Sequence, residues 1–328
     1  MSAPPALARP LATRVSLPFS RPTFLMCPPD YYDVRYVINP WMEGNISRSS
    51  LALAVEQWEA LHAALSRFAD VLVMEPQPGS PDMVFAANAG LVREGKVVLS
   101  SFLHPERQDE EEHFRAWFAA AGYQLLELPR DTPFEGEGDA LFTADGAQLW
   151  AGHGWRTSEA SLARLGTVWP AQVQRLQLVD PRFYHVDTCF CPLANGDAMY
   201  FPGAFDSASL ARIEAYYPPA KRVLVEEEDA AAFACNAVNL GATILLNRIS
   251  RGLRKELEGR GFLVVETPLS EFLKAGGAAK CLVLRLSELE VTHAASERIA
   301  RTSPLTSPLT RLPDQHHGHT IDEMSGKA

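Results

Sequence analysis

A thiol, an imidazole and a set of carboxylates occur in this sequence in settings that suit nucleophilic chemistry. Cys281 ends the segment Gly276-Gly277-Ala278-Ala279-Lys280-Cys281 and precedes the apolar run Leu282 to Leu286, a setting that suits an exposed thiol at the mouth of a strand. His185 opens the strand-like run His185-Val186-Asp187-Thr188-Cys189-Phe190. Glu135, Glu137 and Asp139 alternate with Gly136 and Gly138. A nucleophilic thiol needs thiolate character, a proton carrier and a site that holds the electrophile. The glycines among these carboxylates allow a close backbone approach to a ligand. Each residue also has an ordinary reading: a small buried hydrophobe for the cysteine, a structural histidine, a solvated acidic loop.

These segments precede hairpin signals that must position them. Glu-Gly, Asp-Gly and Asn-Gly turns interrupt apolar runs at Gly95, Gly146 and Gly196, spaced by 51 and 50 residues. A further strand signal follows Gly241, 45 residues on. Helical patterns fall in the intervals, over 106–121, 157–169, 207–217 and 250–261. The clearest helix covers 49–69, where Leu51, Val55, Trp58, Leu61, Leu65 and Phe68 form one stripe, and the strand Val71 to Met74 follows it. Repeats that cannot bury an apolar face alone stack or close into a ring. A fifth unit, made from Cys281 to Leu286 and an N-terminal strand near Phe24 to Met26, would close it. An α/β sandwich with coincidental spacing is the alternative.

Composition narrows the field. Of 328 residues, 47% are hydrophobic and 21% charged, an ordinary globular balance. The formal net charge of −10, without a run of Lys and Arg, argues against a nucleic-acid surface and welcomes a cationic small molecule. No apolar stretch approaches the roughly 18 residues of a membrane span. Five cysteines are an odd count, and Cys189-x-Cys191 lacks the gap of common zinc or redox pairs, so reduced thiols in the cytoplasm are expected. Residues 1–22, with three arginines and no acid, read as a flexible leader, with a transit peptide as the alternative. Residues 301–328 repeat Ser-Pro-Leu-Thr and carry His316, His317 and His319; a disordered tail is expected, with metal binding as the alternative. The stretch between, 23–300, reads as one catalytic domain. Cys27 to Asn45, rich in Pro, Tyr and Asp, suits a lid or a packed arm.

Three segments in order, Glu135 to Asp139, His185 to Thr188 and Gly276 to Cys281, resemble the guanidino-group modifying enzymes of the pentein fold. That group comprises arginine deiminases, dimethylarginine dimethylaminohydrolases and amidinotransferases. The resemblance spans about residues 23–290 and implies a five-bladed α/β propeller of ββαβ-like repeats with pseudo-fivefold symmetry. It implies Cys281 as nucleophile, His185 as proton carrier and Glu135 as partner of the substrate guanidinium. The loop here is one residue longer than the usual Glu-Gly-Gly-Asp, so Glu137 competes with Glu135 for that place. Asp82 matches a carboxylate that binds the charged end of the substrate. Arg107 and Arg156 match arginines that hold its α-carboxylate. No metal or organic cofactor is implied, and self-association into a homo-oligomer stays open.

One position departs from the larger family. Where deiminases and dimethylarginine hydrolases carry Asp, this chain has Asn88. An Asp only accepts hydrogen bonds and suits a guanidinium; an Asn both donates and accepts, and so tolerates the ureido group of citrulline as well. With the N-terminal block from Phe24 to Met42, in which Asn39 matches a pocket asparagine, this resembles the arginine dihydrolases. Those enzymes convert arginine to ornithine, carbon dioxide and two ammonia. The alternatives are one-step hydrolysis to citrulline, amidino transfer to an amine, and a non-enzymatic binder on the same fold.

Overall fold

The computed structural model describes residues 21–286. The expected tail, nearly all of the expected leader and the last residues of the expected 23–300 domain lie outside that range.

Glu94 and Gly95 both take positive φ, 54° and 72°, which lets a two-residue turn follow the right-handed twist of its strands. This turn joins Gly90–Arg93 to Lys96–Leu99 in antiparallel register. Antiparallel hairpins, each with one glycine at positive φ in its turn, also join Ala140–Phe142 to Gln148–His153, Phe190–Pro192 to Ala198–Tyr200, and Val238–Leu240 to Thr243–Leu246. The last of these is a full hairpin, although only its second strand carries a clear sequence signal. After each hairpin a helix crosses over, and the chain returns as a third strand parallel to the second. The returning strands are Gln124–Leu126, Gln172–Gln177, Arg222–Leu224 and Leu263–Glu266.

The two ends of the described chain build the fifth unit. Leu284–Leu286 pairs antiparallel with Thr23–Met26, which runs parallel to Asp70–Val73 beyond the helix Leu51–Ser66. The result is five separate three-stranded sheets, blades rather than one closed barrel. Their inner strands begin at residues 90, 140, 190, 238 and 284, close to the fifty-residue period of the sequence. The expected α/β architecture of five ββαβ-like units is the one found.

Helix starts follow local chemistry. Ser50, Ser158, Asp206 and Ser250 each accept a hydrogen bond from the backbone N–H three residues on, satisfying a donor that the helix leaves unpaired. In Leu51–Ser66 the buried stripe runs through Ala54, Trp58, Leu61 and Leu65, whereas Leu51 in the first turn is exposed. None of the helices among the described residues is long and apolar enough to cross a membrane.

Apolar packing sits within and between blades, in four clusters. Polar groups concentrate elsewhere, in the short turns just before the inner strands. Asn88, Glu135 to Asp139, His185 to Thr188, Asn236 and Cys281 all occupy that place, and all are buried. Residues as far apart in sequence as Asn88 and Cys281 are thereby brought to one end of the ring axis.

Leu25, fully buried in the closing blade, tests whether that blade belongs to the cooperative core. Leu25→Ala should cost about 2–5 kcal/mol, whereas Leu263→Ala, at an exposed strand position, should stay within about 0.5 kcal/mol. Urea-unfolding midpoints measure both, and equal effects would contradict the closure.

Candidate active site

The loop that carries Glu135 owes its course to one glycine. Gly136 has φ of 62°, and a Cβ there would stand 2.7 Å from the Ala87 carbonyl oxygen and 2.8 Å from both N and O of Gly90. Only glycine lets this loop lie against the turn that holds Asn88. Glu135 then points into the protein, with no solvent exposure. Its Oε2 accepts from Arg156 Nη1 at 3.0 Å and meets His185 Nε2 at 2.8 Å. Its Oε1 accepts from the Leu103 N–H at 3.4 Å. Burial works against the charge, but Arg156 and His185 overcome it and hold this carboxyl well below the usual carboxylate range.

Glu137, two residues on, leaves in another direction. Its Oε2 accepts from Lys280 Nζ at 2.7 Å and from the Arg285 backbone N–H at 3.0 Å. Of the two competing glutamates, Glu135 is the one beside His185.

Asn88 and Arg107 form a second buried group. Arg107 grips Glu110 with Nε and Nη2 at 3.0 and 2.7 Å, and donates through Nη1 to Asn88 Oδ1 at 2.8 Å. The Asn88 amide donates in turn to the Glu135 carbonyl at 3.1 Å, which fixes its orientation. Asp82 has one carboxylate oxygen on the Tyr36 hydroxyl at 2.9 Å, while its buried Oδ1 has no partner among the described residues. Burial pushes the Asp82 carboxyl up, against the pull of Arg107 and Tyr36.

Cys281 lies 3% exposed, in the turn ahead of the strand Leu284–Leu286. The sequence predicts an exposed thiol at a strand mouth; the site is instead enclosed, because the segment 28–45 packs over it. Tyr32 donates to the Glu271 carbonyl, Asn39 to that of Ala275 and Trp41 to that of Arg182. Asn39 Oδ1 also caps the turn Pro40–Met42. His185 likewise does not begin a strand but precedes the 3-10 turn Val186–Thr188. The thiol takes a hydrogen bond from Asn236 Nδ2 at 3.1 Å and donates to Asp187 Oδ2 at 3.5 Å. The imidazole, by contrast, is held by Glu135. Burial, then Asp187, push the Cys281 thiol well above its ordinary value. Burial also lifts Asp187 to about 7, and Asp139, which accepts the Val186 N–H, to about 7.

A cavity of about 10 Å³ marks the meeting point, lined by Asn39, Asp82, Asn88, Arg107, Arg156 and Cys281 among others. Glu135 and His185 stand directly behind it, through Arg156. All eight predicted site residues are thus assembled. All five cysteines are free and buried, and only Cys281 lines this cavity. Among the described residues, no three His, Cys, Asp or Glu gather as metal ligands. Sequence reasoning missed Asn236 and Asp187 as partners of the thiol. A signal for Asn236 existed: it stands two residues before its inner strand, as Asn88 does before its own.

A family model described as N,N dimethylarginine dimethylhydrolase, eukaryotic, matches residues 42–288. The chain belongs to that family of guanidino-group modifying enzymes. Within it, the chain is 56% identical over 269 residues to a bifunctional arginine dihydrolase/ornithine cyclodeaminase of Nostoc, AgrE. It is 56% identical over 300 residues to ArgZ of Synechocystis, of the same description. These matches cover 82% and 91% of this chain but only 38% and 41% of the relatives, so the chain spans about two fifths of their length. A crystal structure of the N-terminal domain of ArgZ, described as an arginine dihydrolase bound to substrate, superposes with a TM-score of 0.81 at 55% identity, covering 81% of this chain and 98% of that one.

The raised carboxyls make stability pH-dependent. Asp139 keeps its proton to about pH 7 in the folded state, whereas an unfolded Asp releases it near pH 4. Between those values the unfolded chain binds fewer protons, so this group's contribution falls as pH rises through the window. Asp139→Asn mimics the protonated form and should flatten the dependence of Tm on pH between about 4 and 7. Identical slopes for variant and parent would refute the assignment.

Proposed function

We propose that this chain hydrolyses L-arginine twice, giving L-ornithine, carbon dioxide and two ammonia, with Cys281 as nucleophile and His185 as proton carrier. The observation that carries the reading is Asn88. Its amide gives one N–H to the Glu135 carbonyl and its oxygen takes Arg107, which leaves a second N–H. An Asp in its place would set a carboxylate oxygen against the Glu135 carbonyl and would repel a ureido oxygen. An amide accommodates both the guanidinium of arginine and the neutral product of the first hydrolysis. The identity to proteins described as arginine dihydrolases supports the same reading.

The buried charges suggest how each step runs. Asp82 and Glu135 attract a guanidinium, and Arg107 and Arg156 supply the positive charge that an α-carboxylate requires. In the folded protein both arginines are engaged by its own carboxylates, and the cavity has room for about one water at most. An amino acid therefore enters by displacing these contacts and the covering segment with Asn39. Before it arrives the Cys281 thiol keeps its proton, because burial and Asp187 disfavour a thiolate. A guanidinium cation supplies the missing charge, and the thiol proton leaves toward Asp187, 3.5 Å away.

The thiolate then attacks the guanidinium carbon. The C–N bond to one terminal nitrogen breaks, and ammonia departs with a proton from His185, whose imidazolium Glu135 supports at 2.8 Å. His185 next takes a proton from water as it attacks the S-alkylthiouronium carbon. The C–S bond breaks and citrulline forms. In a second attack by the thiolate on the ureido carbon of the retained citrulline, the C–N bond to the ornithine side chain breaks, ornithine leaves with a proton from His185, and an S-carbamoyl cysteine remains. Its hydrolysis gives carbamate, which breaks down to carbon dioxide and ammonia. Asn236, bonded to the sulfur and to two backbone N–H groups of the 278–281 turn, is a positioning residue for the nucleophile.

A second reading is one-step hydrolysis of a methylated arginine, favoured by the description of the matching family model. Incubation with L-arginine separates the two: ornithine and two ammonia per arginine are expected, and citrulline accumulating alone would sink the dihydrolase reading. Dimethylamine released from dimethylarginine would favour the alternative. Cys281→Ala should lose at least about a thousandfold in turnover while staying folded. Asn88→Asp should raise the citrulline-to-ornithine ratio, and an unchanged ratio would remove Asn88 from its proposed part.

A further inference from the structure

A second cavity, much roomier than the one at Cys281, lies away from that thiol. The five inner strands leave the candidate site and run three or four residues, roughly 10–13 Å, before they end. Around their far ends opens a space of about 490 Å³, within the range of small-molecule sites. Every blade contributes: Arg93, Phe142, Cys191, Asn239 and Arg285 each lie beyond the residues that build the candidate site. The two spaces therefore occupy opposite ends of one axis, separated by the Lys280–Glu137 pair, which lines the larger one.

The charge of this second space is unbalanced. Lys280 and Glu137 neutralise one another at 2.7 Å, and Arg93 has Glu94 at 3.4 Å. Arg285 is different. Its guanidinium is half-buried, donates through Nη2 to the Asn239 carbonyl at 2.7 Å and stacks 4.7 Å from the Phe24 ring. Among the described residues no carboxylate lies within salt-bridge distance of it. A carbonyl and a ring satisfy a guanidinium's hydrogen-bonding and stacking but do not cancel its charge. Burial pushes the Arg285 guanidinium below its ordinary value, outweighing the more distant attraction of Glu137. The remaining wall is largely apolar, with Phe142, Phe190, Leu141, Val238 and Leu240.

We propose that this cavity is a second ligand site, which takes a small organic carboxylate with an apolar body. The carboxylate pairs with Arg285, and the body lies against Phe142, Phe190 and Leu141. A planar carboxylate matches the fork of a guanidinium whose other partners leave N–H groups open, and its charge is the one the cavity lacks. The inference does not depend on the reaction at Cys281.

Calorimetric titration of the full-length protein with 3-phenylpropionate and hexanoate tests it, with 3-phenylpropionamide as the uncharged control. Saturable one-to-one binding of the carboxylates is expected, with binding of the amide at least about tenfold weaker. Arg285→Gln should weaken the carboxylates by a similar factor. Ala194→Trp, which places a bulky ring at the rim of the cavity, should do the same and decides the matter if Arg285→Gln fails to fold. Cys281→Ala should leave the affinity unchanged, since that side chain lies outside the cavity. The proposal is overturned by an absence of saturable binding, by equal binding of the amide, by parental affinity in a folded Arg285 or Ala194 variant, or by loss of binding in Cys281→Ala.

Discussion

A carboxylate removed from water keeps its charge only where cations and hydrogen-bond donors replace the hydration it has lost. Glu135 meets that demand with partners from three other parts of the chain: His185, the Leu103 N–H, and Arg156 with its neighbour Thr157, whose hydroxyl accepts the Glu135 N–H. None of these adjoins it in sequence, so the ring must close before the charge can be buried. The fold and the candidate site are in this sense one construction. The turns ahead of the inner strands are kept short, and Gly136 keeps the closest of them tight, because a loose ring would leave this carboxylate solvated and His185 unsupported.

Periodicity made the architecture legible. Turn glycines and helix caps act locally, so Gly95, Gly146 and Gly196 announced their hairpins, and Ser50, Ser158, Asp206 and Ser250 stand where helices begin. The order of the Glu135, His185 and Cys281 segments pointed to the family, and each predicted side chain lies at or directly behind the small cavity. The features that stayed hidden depend on partners distant in sequence. No local pattern says that Glu137 turns to Lys280 while Glu135 turns to His185, since the choice is made by Lys280, 143 residues away. Nor could composition show that the thiol rests on Asp187 and Asn236, or that a cysteine after a Gly-Gly pair is enclosed. That enclosure comes from the N-terminal arm, which packs across a turn more than 230 residues later.

The axis of the ring is used twice, with opposite chemistry at its ends. Toward the candidate site the turns present carboxylates, amides and a thiol. Toward the far end the same strands present aromatic rings, aliphatic side chains and an arginine. Alternation along a strand does not produce this division. Chain direction does. Every inner strand runs the same way along the axis, so the residues that enter the strands gather at one end and those that leave them gather at the other.

The ion pair between Arg156 and Glu135 has a consequence for which guests the site accepts. A cation arriving at Glu135 does not fill an open position but takes one over, replacing one guanidinium with another. Swapping like for like gains little at the carboxylate itself. The outcome is then set by what becomes of the displaced Arg156, which is buried and cannot turn to water. A guest that carries its own carboxylate gives Arg156 a new partner and completes the exchange. A bare guanidine leaves it stranded, and an ammonium lacks the planar fork to replace it. On the proposed reading, the resting ion pair favours a guest that carries both a planar cation and a carboxylate over one that carries the cation alone.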